Sequence, residues 1–231
     1  MRGLLGLLKK LCRRSTDLIQ PLFDYSAFSI CILDLEKINL DNTLDIREFK
    51  EYSLEIDNIY SETGQKKYYT GEQLISRFSN GLYFYLIQDG SRCMATAWMH
   101  PKGERFVDEA GYILKAAGHS IWLRDVYVTP EYRGRGIFSD FIKQIAKQYY
   151  PAASFMFSDL ETNNLKSRNA HKHCGFKFIA AFKVYHLLSS LMIRSPIEPD
   201  SQLISVFGYK PEKRICITCQ TYSRFRAENL A

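Results

Sequence analysis

One short stretch, VYVTPEYRGRGIF (residues 126–138), constrains the fold of this chain more than any other. An apolar run meets Pro130, which cannot donate to a strand ladder and so helps to end it. Beyond it, Gly134 and Gly136 are set among Arg133 and Arg135, and then Ile137, Phe138, Phe141, Ile142 and Ile145 recur at helical spacing. A strand therefore feeds a bare loop that opens a helix. Several N–H groups there lack acceptors and point into one space at the positive end of the helix dipole. Such a place suits a pyrophosphate, and neighbouring arginines add charge-assisted bonds. The loop is neither a P-loop nor the GxGxxG of a dinucleotide fold, and a plain strand-to-helix turn uses the same residue types.

The flanking sequence alternates strands with helices. FSICILDL (residues 28–35) reads as a first strand, and helical spacing recurs over residues 46–59 and 72–78, with Asn80-Gly81 as a stop. LYFYLIQ, the turn Asp89-Gly90 and RCMATAWMH read as a β-hairpin. Residues 101–119 read as an irregular strand or loop, and SIWLRDVYV as the strand that enters the glycine loop. A buried strand ASFMFSDL, a helix over residues 164–173 stopped by Cys174-Gly175, and a strand FKFIAAFKVYHLL follow. Two more strands are expected at residues 203–209 and 214–222. This order predicts an α/β fold, a mixed sheet covered by helices on both sides. Three parts are expected: an amphipathic segment (1–20), a main domain (25–195) and an extension whose strands complete the sheet (196–231).

With 231 residues, 46 % of them hydrophobic, the chain can bury one sizeable core. Its net charge of +6 favours an anionic partner, but the basic residues are spread rather than gathered on an aromatic platform, which argues against nucleic acid. The six cysteines show no regular framework, so a reducing cytoplasm is the expected setting. Cys216 and Cys219 form one CxxC without a second pair, in a strand that turns their thiols to opposite faces, so no metal site is read there. The His171–Cys174 stretch HKHC is read as helix residues beside a packing glycine.

Residues 2–14 segregate on a helical wheel. Leu4, Leu5, Leu7, Leu8, Leu11 and Cys12 share one face, and Arg2, Lys9, Lys10, Arg13 and Arg14 the other. The run is too short and too charged to span a membrane and carries no small-residue cleavage site. Peripheral contact with an anionic membrane surface and packing on the chain's own domain or a partner both fit this pattern.

The glycine loop also carries a family resemblance. VYVTPEYRGRGI resembles the acetyl-CoA signature of the GNAT superfamily of N-acetyltransferases: Gln or Arg, two residues, Gly, one residue, then Gly or Ala. Arg133 and Gly136 take the first two fixed places, and Phe138 stands at the last. Its neighbours at i+3, i+4 and i+7 turn Phe138 inward. Independently, NLKSRNAHKHCGF (residues 164–176) resembles the family's later motif, where an Asn begins a helix that ends in Gly-Phe. Four residues before that glycine the family commonly has a tyrosine that protonates the departing CoA thiolate; here the position is His171. An imidazole can donate near neutral pH, or it can simply pack on the cofactor.

The resemblance spans residues 28–188 and implies a GNAT-like, mostly antiparallel twisted sheet with a splayed pair of parallel strands at the CoA site. It implies that the main chain of Val126, Tyr127 and Val128 holds the pantetheine arm. The amides of Arg133, Gly134, Arg135, Gly136, Ile137 and Phe138 would take the pyrophosphate, and Asn164 would bond near the thioester. Acetyl-CoA is the implied co-substrate, with no metal, and a small-molecule amine the implied acceptor. Asp125 is the first candidate for accepting the amine proton, and an ion pair is its alternative role; Asp159 and Glu161 are further carboxylates. Strand alternation allows only one of Arg124 and Asp125 to face a cleft unless a bulge intervenes. Similarity to members that accompany bacterial surface-polysaccharide pathways suggests an amino sugar or sugar nucleotide. A protein amine, or a CoA-binding module without turnover, are the other readings.

Overall fold

A computed structural model describes residues 23–39, 44–107, 112–187, 190–197, 204–208 and 215–218. The amphipathic segment 2–14 and Cys219 lie outside the described residues. In chain order the first strands are β1 (Phe23–Asp34), β2 (Arg47–Phe49), β3 (Tyr83–Asp89), β4 (Arg92–His100), β5 (Glu104–Val107) and β6 (Tyr112–Ala116). There follow β7 (Ser120–Val128), β8 (Phe155–Glu161), β9 (Lys177–Leu187), β10 (Ser190–Ile197), β11 (Ile204–Gly208) and β12 (Ile215–Thr218). Helices α1 (Leu54–Glu62) and α2 (Gly71–Ser79) lie between β2 and β3, α3 (Ile137–Tyr149) follows β7, and α4 (Leu165–His173) follows β8.

Nine strands form one sheet in the order β12-β10-β9-β1-β8-β7-β4-β3-β2, and β11-β6-β5 form a second. Pairing is antiparallel except between β7 and β8 and between β10 and β12. The mixed, mostly antiparallel fold expected from the sequence is thus present. Helices α3 and α4 cover one face of the large sheet, where Phe141, Ile142, Ile145 and Ala146 bury against Leu33, Tyr85, Leu123 and Met156. The other face is divided. Over β3 and β4, Ile56, Ile59, Tyr60 and Leu74 of α1 and α2 enclose Phe84 and Trp98, and the Trp98 Nε1–H donates to the Tyr60 hydroxyl at 2.6 Å. Over β1 and β8, Leu114 and Ala116 of β6 cover Ile30, Ile32, Trp122 and Phe157.

Local chemistry sets the helix ends. Thr70 and Gln73 form a capping box at the start of α2, and Gly81 at φ +78 follows its end. The helix expected over residues 46–59 is split: Arg47–Phe49 instead pairs with β3, Phe49 opposite Phe84, and a helix begins only after Ser53. The helical spacing there joined two elements by coincidence. In place of an irregular connection, β5 and β6 pair antiparallel, and β11 pairs along β6. β10 had no counterpart in the sequence reading; it crosses residue 195 and lies against β9. β11 and β12 fall at the two later strand positions.

Candidate active site

β7 and β8 run parallel and paired only from Ser120 opposite Phe155 to Leu123 opposite Ser158. Beyond that the two strands continue without pairing to each other, which opens a gap in the middle of the sheet. β7 stays on β4 as far as Val128, which lies opposite Ala95. Between Tyr127–Thr96 and Arg124–Trp98 the register slips, leaving Asp125 and Val126 opposite Ala97. This is a β-bulge, and Asp125 takes φ +47 in it, a conformation Asp tolerates better than most residues. One extra residue reverses the alternation of β7. Ile121 and Leu123 face the α3 core before the bulge, and Val126 and Val128 pack against that same core after it. The Thr129 N–H donates to Met94 O at 2.9 Å, so the main chain of residues 127 and 129 turns to β4 and that of Val126 and Val128 to the gap. The Val128 carbonyl there accepts from Arg133 Nε at 2.8 Å.

The glycine loop closes one end of this gap. Pro130–Tyr132 make a 3-10 turn, Gly134 takes φ +75, and Gly136, the N-cap of α3, takes φ +81. No side chain caps α3. Asp140 N–H, bonded to Gly136 O at 3.1 Å, makes the first bond of the helix, so the preceding amides of Ile137, Phe138 and Ser139 have no acceptor within it. A Cβ added at Gly134 would meet nothing within 4 Å, and one at Gly136 would meet only Asp140 Oδ2 at 3.7 Å. The backbone is therefore open to an approaching anion, as a pyrophosphate requires. Arg135 lies over the Tyr132 ring at 5.8 Å, and Arg133 over Tyr127 at 5.6 Å. Ile137 and Phe138 pack on the core, and the Phe138 ring lies 4.9 Å from the His171 ring.

At the α4 side, Asn164 Oδ1 accepts from Ser167 N at 3.0 Å and so caps the helix, with Asn164 itself exposed. His171 is buried. Its Nδ1 lies 2.8 Å from Ser167 O, which can only accept, so Nδ1 carries the proton. Its Nε2 faces Ser158 Oγ at 3.1 Å, and Phe176 packs edge-on at 5.0 Å. Burial lowers the pKa of His171, against smaller opposing effects from Ser167 and Asp159, which favours the neutral ring.

On the opposite face of the sheet a cavity of about 730 Å³ opens where α2, the end of β4, the β5–β6 pair and β7 meet. Arg77, His100, Glu104, Ile113 and Arg124 line it. Arg77, stacked over Tyr69 and Trp98, forms an ion pair with Asp125 at 2.6 Å. The Asp125 side chain is 38 % exposed and reaches the cavity lining through its ion pair with Arg77. Burial pushes its pKa up; Arg77, Arg124 and Arg105 outweigh that and hold the carboxyl below the usual carboxylate range. Arg105 Nε donates to both oxygens of Asp159 at 3.1 Å, and Trp122 Nε1–H donates to Asp159 Oδ1 at 2.8 Å. His100 Nδ1 accepts from Glu104 N at 3.1 Å, and burial lowers its pKa.

The structure thus brings Val126, Val128 and the 133–138 amides to one gap, with Asn164 and His171 on the helix that follows β8 and Asp125 joined to the cavity on the far side. The bulge sets Arg124 and Asp125 side by side, the one circumstance in which alternation lets both serve one cleft. Arg77, His100, Glu104 and Arg124 were not singled out as site residues from the sequence. The available signal was a charged pair inside an otherwise apolar strand. Among the described residues no group of metal-ligating side chains is gathered, and no helix is long and apolar enough to cross a membrane.

A splayed parallel pair leading to a helix start without a side-chain cap defines the class: a mixed α/β protein with a gap in its sheet that ends at open backbone amides. The family is plain from the sequence: the model of the acetyltransferase (GNAT) family matches residues 48–176, more than half of the chain, and the chain belongs to that family. Among solved structures it is similar to a GNAT-family protein from Novosphingobium aromaticivorans, at 16 % identity and a TM-score of 0.47, over 69 % of this chain and 63 % of that one. It is similar to an acetyltransferase of the family from Colwellia psychrerythraea, at 13 % and 0.48, over 71 % and 56 %. An aminoglycoside antibiotic 6'-N-acetyltransferase from Acinetobacter haemolyticus is similar at 19 % and 0.42, over 58 % and 91 %. The chain therefore spans less than two thirds of the length of the first two. No curated protein sequence matches it.

Proposed function

We propose that this protein is an acetyl-CoA-dependent N-acetyltransferase acting on a primary amine of a small molecule, with an amino sugar or sugar nucleotide as the acceptor. One observation carries this reading: the gap between β7 and β8 ends at the open amides of an uncapped α3 on one face and adjoins a lined cavity on the other. A donor passing through the gap would lay its pyrophosphate on the 133–138 amides and its pantetheine arm along the main chain of Val126 and Val128, displacing Arg133 from the Val128 carbonyl. Its thioester would then face the cavity.

In this account the chain's residues position and neutralise. Asn164 Oδ1 caps α4, which leaves its Nδ2 to bond near the pantetheine or the thioester. The acceptor amine, with a free-amine pKa near 10, loses a proton and attacks the thioester carbonyl; a C–N bond forms, the C–S bond breaks, and the thiolate takes up a proton. Asp125, on β7 where it parts from β8, receives the amine proton directly or through water. Because its pKa is held low, it works by stabilising the ammonium until transfer rather than by binding the proton tightly. Donation to the thiolate by His171 requires release of its Nδ1–H from Ser167 or protonation of a buried ring.

A second reading, CoA binding without turnover, is favoured by the same two residues: Asp125 is held by Arg77, and His171 is held between Ser158 and Ser167. Release of free CoA from acetyl-CoA with a panel of small amines, followed by mass spectrometry of the products, separates the two. Amine-dependent release with a product heavier by one acetyl group supports the enzyme. Tight acetyl-CoA binding with no release for any amine or peptide supports the second reading.

A further inference from the structure

The cavity beside β7 is lined by more positive charge than its own carboxylates cancel. Two arginines line it, Arg77 and Arg124, and Arg105 stands close to Arg124. Asp125 is taken by Arg77 and Asp159 by Arg105. The carboxylate in the lining itself, Glu104, is held by Lys115 at 3.4 Å. Arg124 is left over. Among the described residues its guanidinium forms no ion pair and no hydrogen bond, although the side chain is half-buried and lines the cavity. Burial and the neighbouring Arg105 lower its pKa, but a guanidinium stays charged at any working pH. A cation partly withdrawn from water and left without a partner favours an anionic ligand that completes it.

We infer that the acceptor carries an acidic group, a carboxylate or a phosphate, in addition to its amine, and that Arg124 together with Arg77 receives that group. The planar guanidinium of Arg124 offers donors that match either oxyanion in a two-pronged bond. The bulge adds a reason for the arrangement. It sets Arg124 and Asp125 next to each other at the point where β7 leaves β8, so an acidic group and an ammonium on one small molecule meet opposite charges at adjacent positions. A polycationic acceptor meets the reverse: Arg124 and Arg77 repel it, and the carboxylates nearby, Asp125, Glu104 and Asp159, are each already paired with a cation. The inference rests on the acetyltransfer reading above and narrows it to anionic amines.

A matched series decides it: glucosamine, glucosamine 6-phosphate, muramic acid and the polycation neamine, each assayed for CoA release and for calorimetric binding to the CoA-loaded protein. The phosphate and carboxylate arms separate the two acidic groups. One or both should exceed glucosamine by about tenfold or more in kcat/KM and in affinity, the scale of one hydrogen-bonded charged contact; neamine should be poorest. Arg124→Ala should remove most of that ratio, and Arg124→Lys should restore part of it, with the acetyl-CoA Kd reporting that the donor side is intact. Equal or better use of glucosamine or neamine, or a ratio that survives Arg124→Ala, overturns the inference and leaves acetyltransfer standing. Charge-dependent binding that is lost in Arg124→Ala, with no turnover of any member, upholds the acidic-group site and overturns the acetyltransfer reading for these amines.

Discussion

The two faces of the sheet at the splayed end of β7 are built from different materials. On the α3–α4 face the groups on offer are main chain: the amides of residues 133–138 and the strand edge of Val126 and Val128 that β8 leaves unpaired. On the α2–β5–β6 face they are side chains: Arg77, His100, Glu104 and Arg124, brought from four separate elements. A backbone site tolerates the loss of any one side chain but not the arrival of a Cβ where an anion must approach. A side-chain site behaves in the opposite way. Mutations on the two faces should therefore separate into donor defects and acceptor defects.

The largest effect is expected at Gly136. Gly136→Val forces a branched residue to φ +81 and places its side chain over the open amides. Acetyl-CoA affinity should fall by about a hundredfold, equivalent to losing about 3 kcal/mol of charged hydrogen bonding. Gly134→Ala is the control: its Cβ meets nothing within 4 Å, so it should cost only about 1–2 kcal/mol of stability through φ. Calorimetry with thermal melts on both variants checks the pair.

His171→Ala comes next and bears on the wall between the faces. Removing a buried ring that touches Phe138 and Phe176 and bridges Ser158 to Ser167 should cost about 2 kcal/mol or more of stability. In protein that remains folded, kcat should fall by less than about tenfold. A fall of about 10²–10⁴-fold at unchanged acetyl-CoA Kd and unchanged Tm would instead assign His171 as the general acid.

How much of this was legible depends on the face. The strand, glycine loop and helix of the donor side lie within residues 120–149, so local sequence carries them, and Phe138 turns inward as its i+3 and i+4 partners require. The cavity could not be read in that way. Arg77 and Arg124 lie 47 positions apart and meet only because the fold brings α2 over β7. The bulge at Asp125 leaves no mark in residue type, since Asp is neither glycine nor proline, and periodicity cannot show where it interrupts itself. β2 was hidden for a related reason: three residues of edge strand are too few for alternation to register.

Smaller effects sharpen the same division. Arg133→Ala should weaken acetyl-CoA by about tenfold, one charged contact at the donor edge. Arg77→Ala should leave donor affinity within about twofold and raise the acceptor KM instead, because it frees Asp125 and removes a cation from the cavity. Initial-rate kinetics varying each substrate in turn resolve the two; a donor defect in Arg77→Ala, or an acceptor-only defect in Arg133→Ala, would break the comparison.

The smallest effect is a slope of stability with pH. His171 and His100 both have folded pKa values lowered by burial from 6.5, so between the folded and unfolded values the unfolded chain binds more protons. Their contribution is fully present above about 6.5 and is lost as pH falls through the folded pKa values. Melts from about pH 8 to 5 should show a declining Tm below that point, and His171→Asn should flatten the decline in part. An unchanged slope in His171→Asn would mean that the ring is not held neutral.

The central claim is that a phosphate-bearing donor is received by the backbone where β7 parts from β8. The most direct test is a backbone amide NMR titration of the labelled protein with acetyl-CoA. The amides of Gly134, Arg135, Gly136, Ile137 and Phe138 should shift most and saturably, with Val126 and Val128 moving with them, and the amides of Arg77, Asn80 and Glu104 on the opposite face should move less. Saturable binding that leaves the 134–138 amides in place, or that moves the α2 and β5 amides first, would contradict the account.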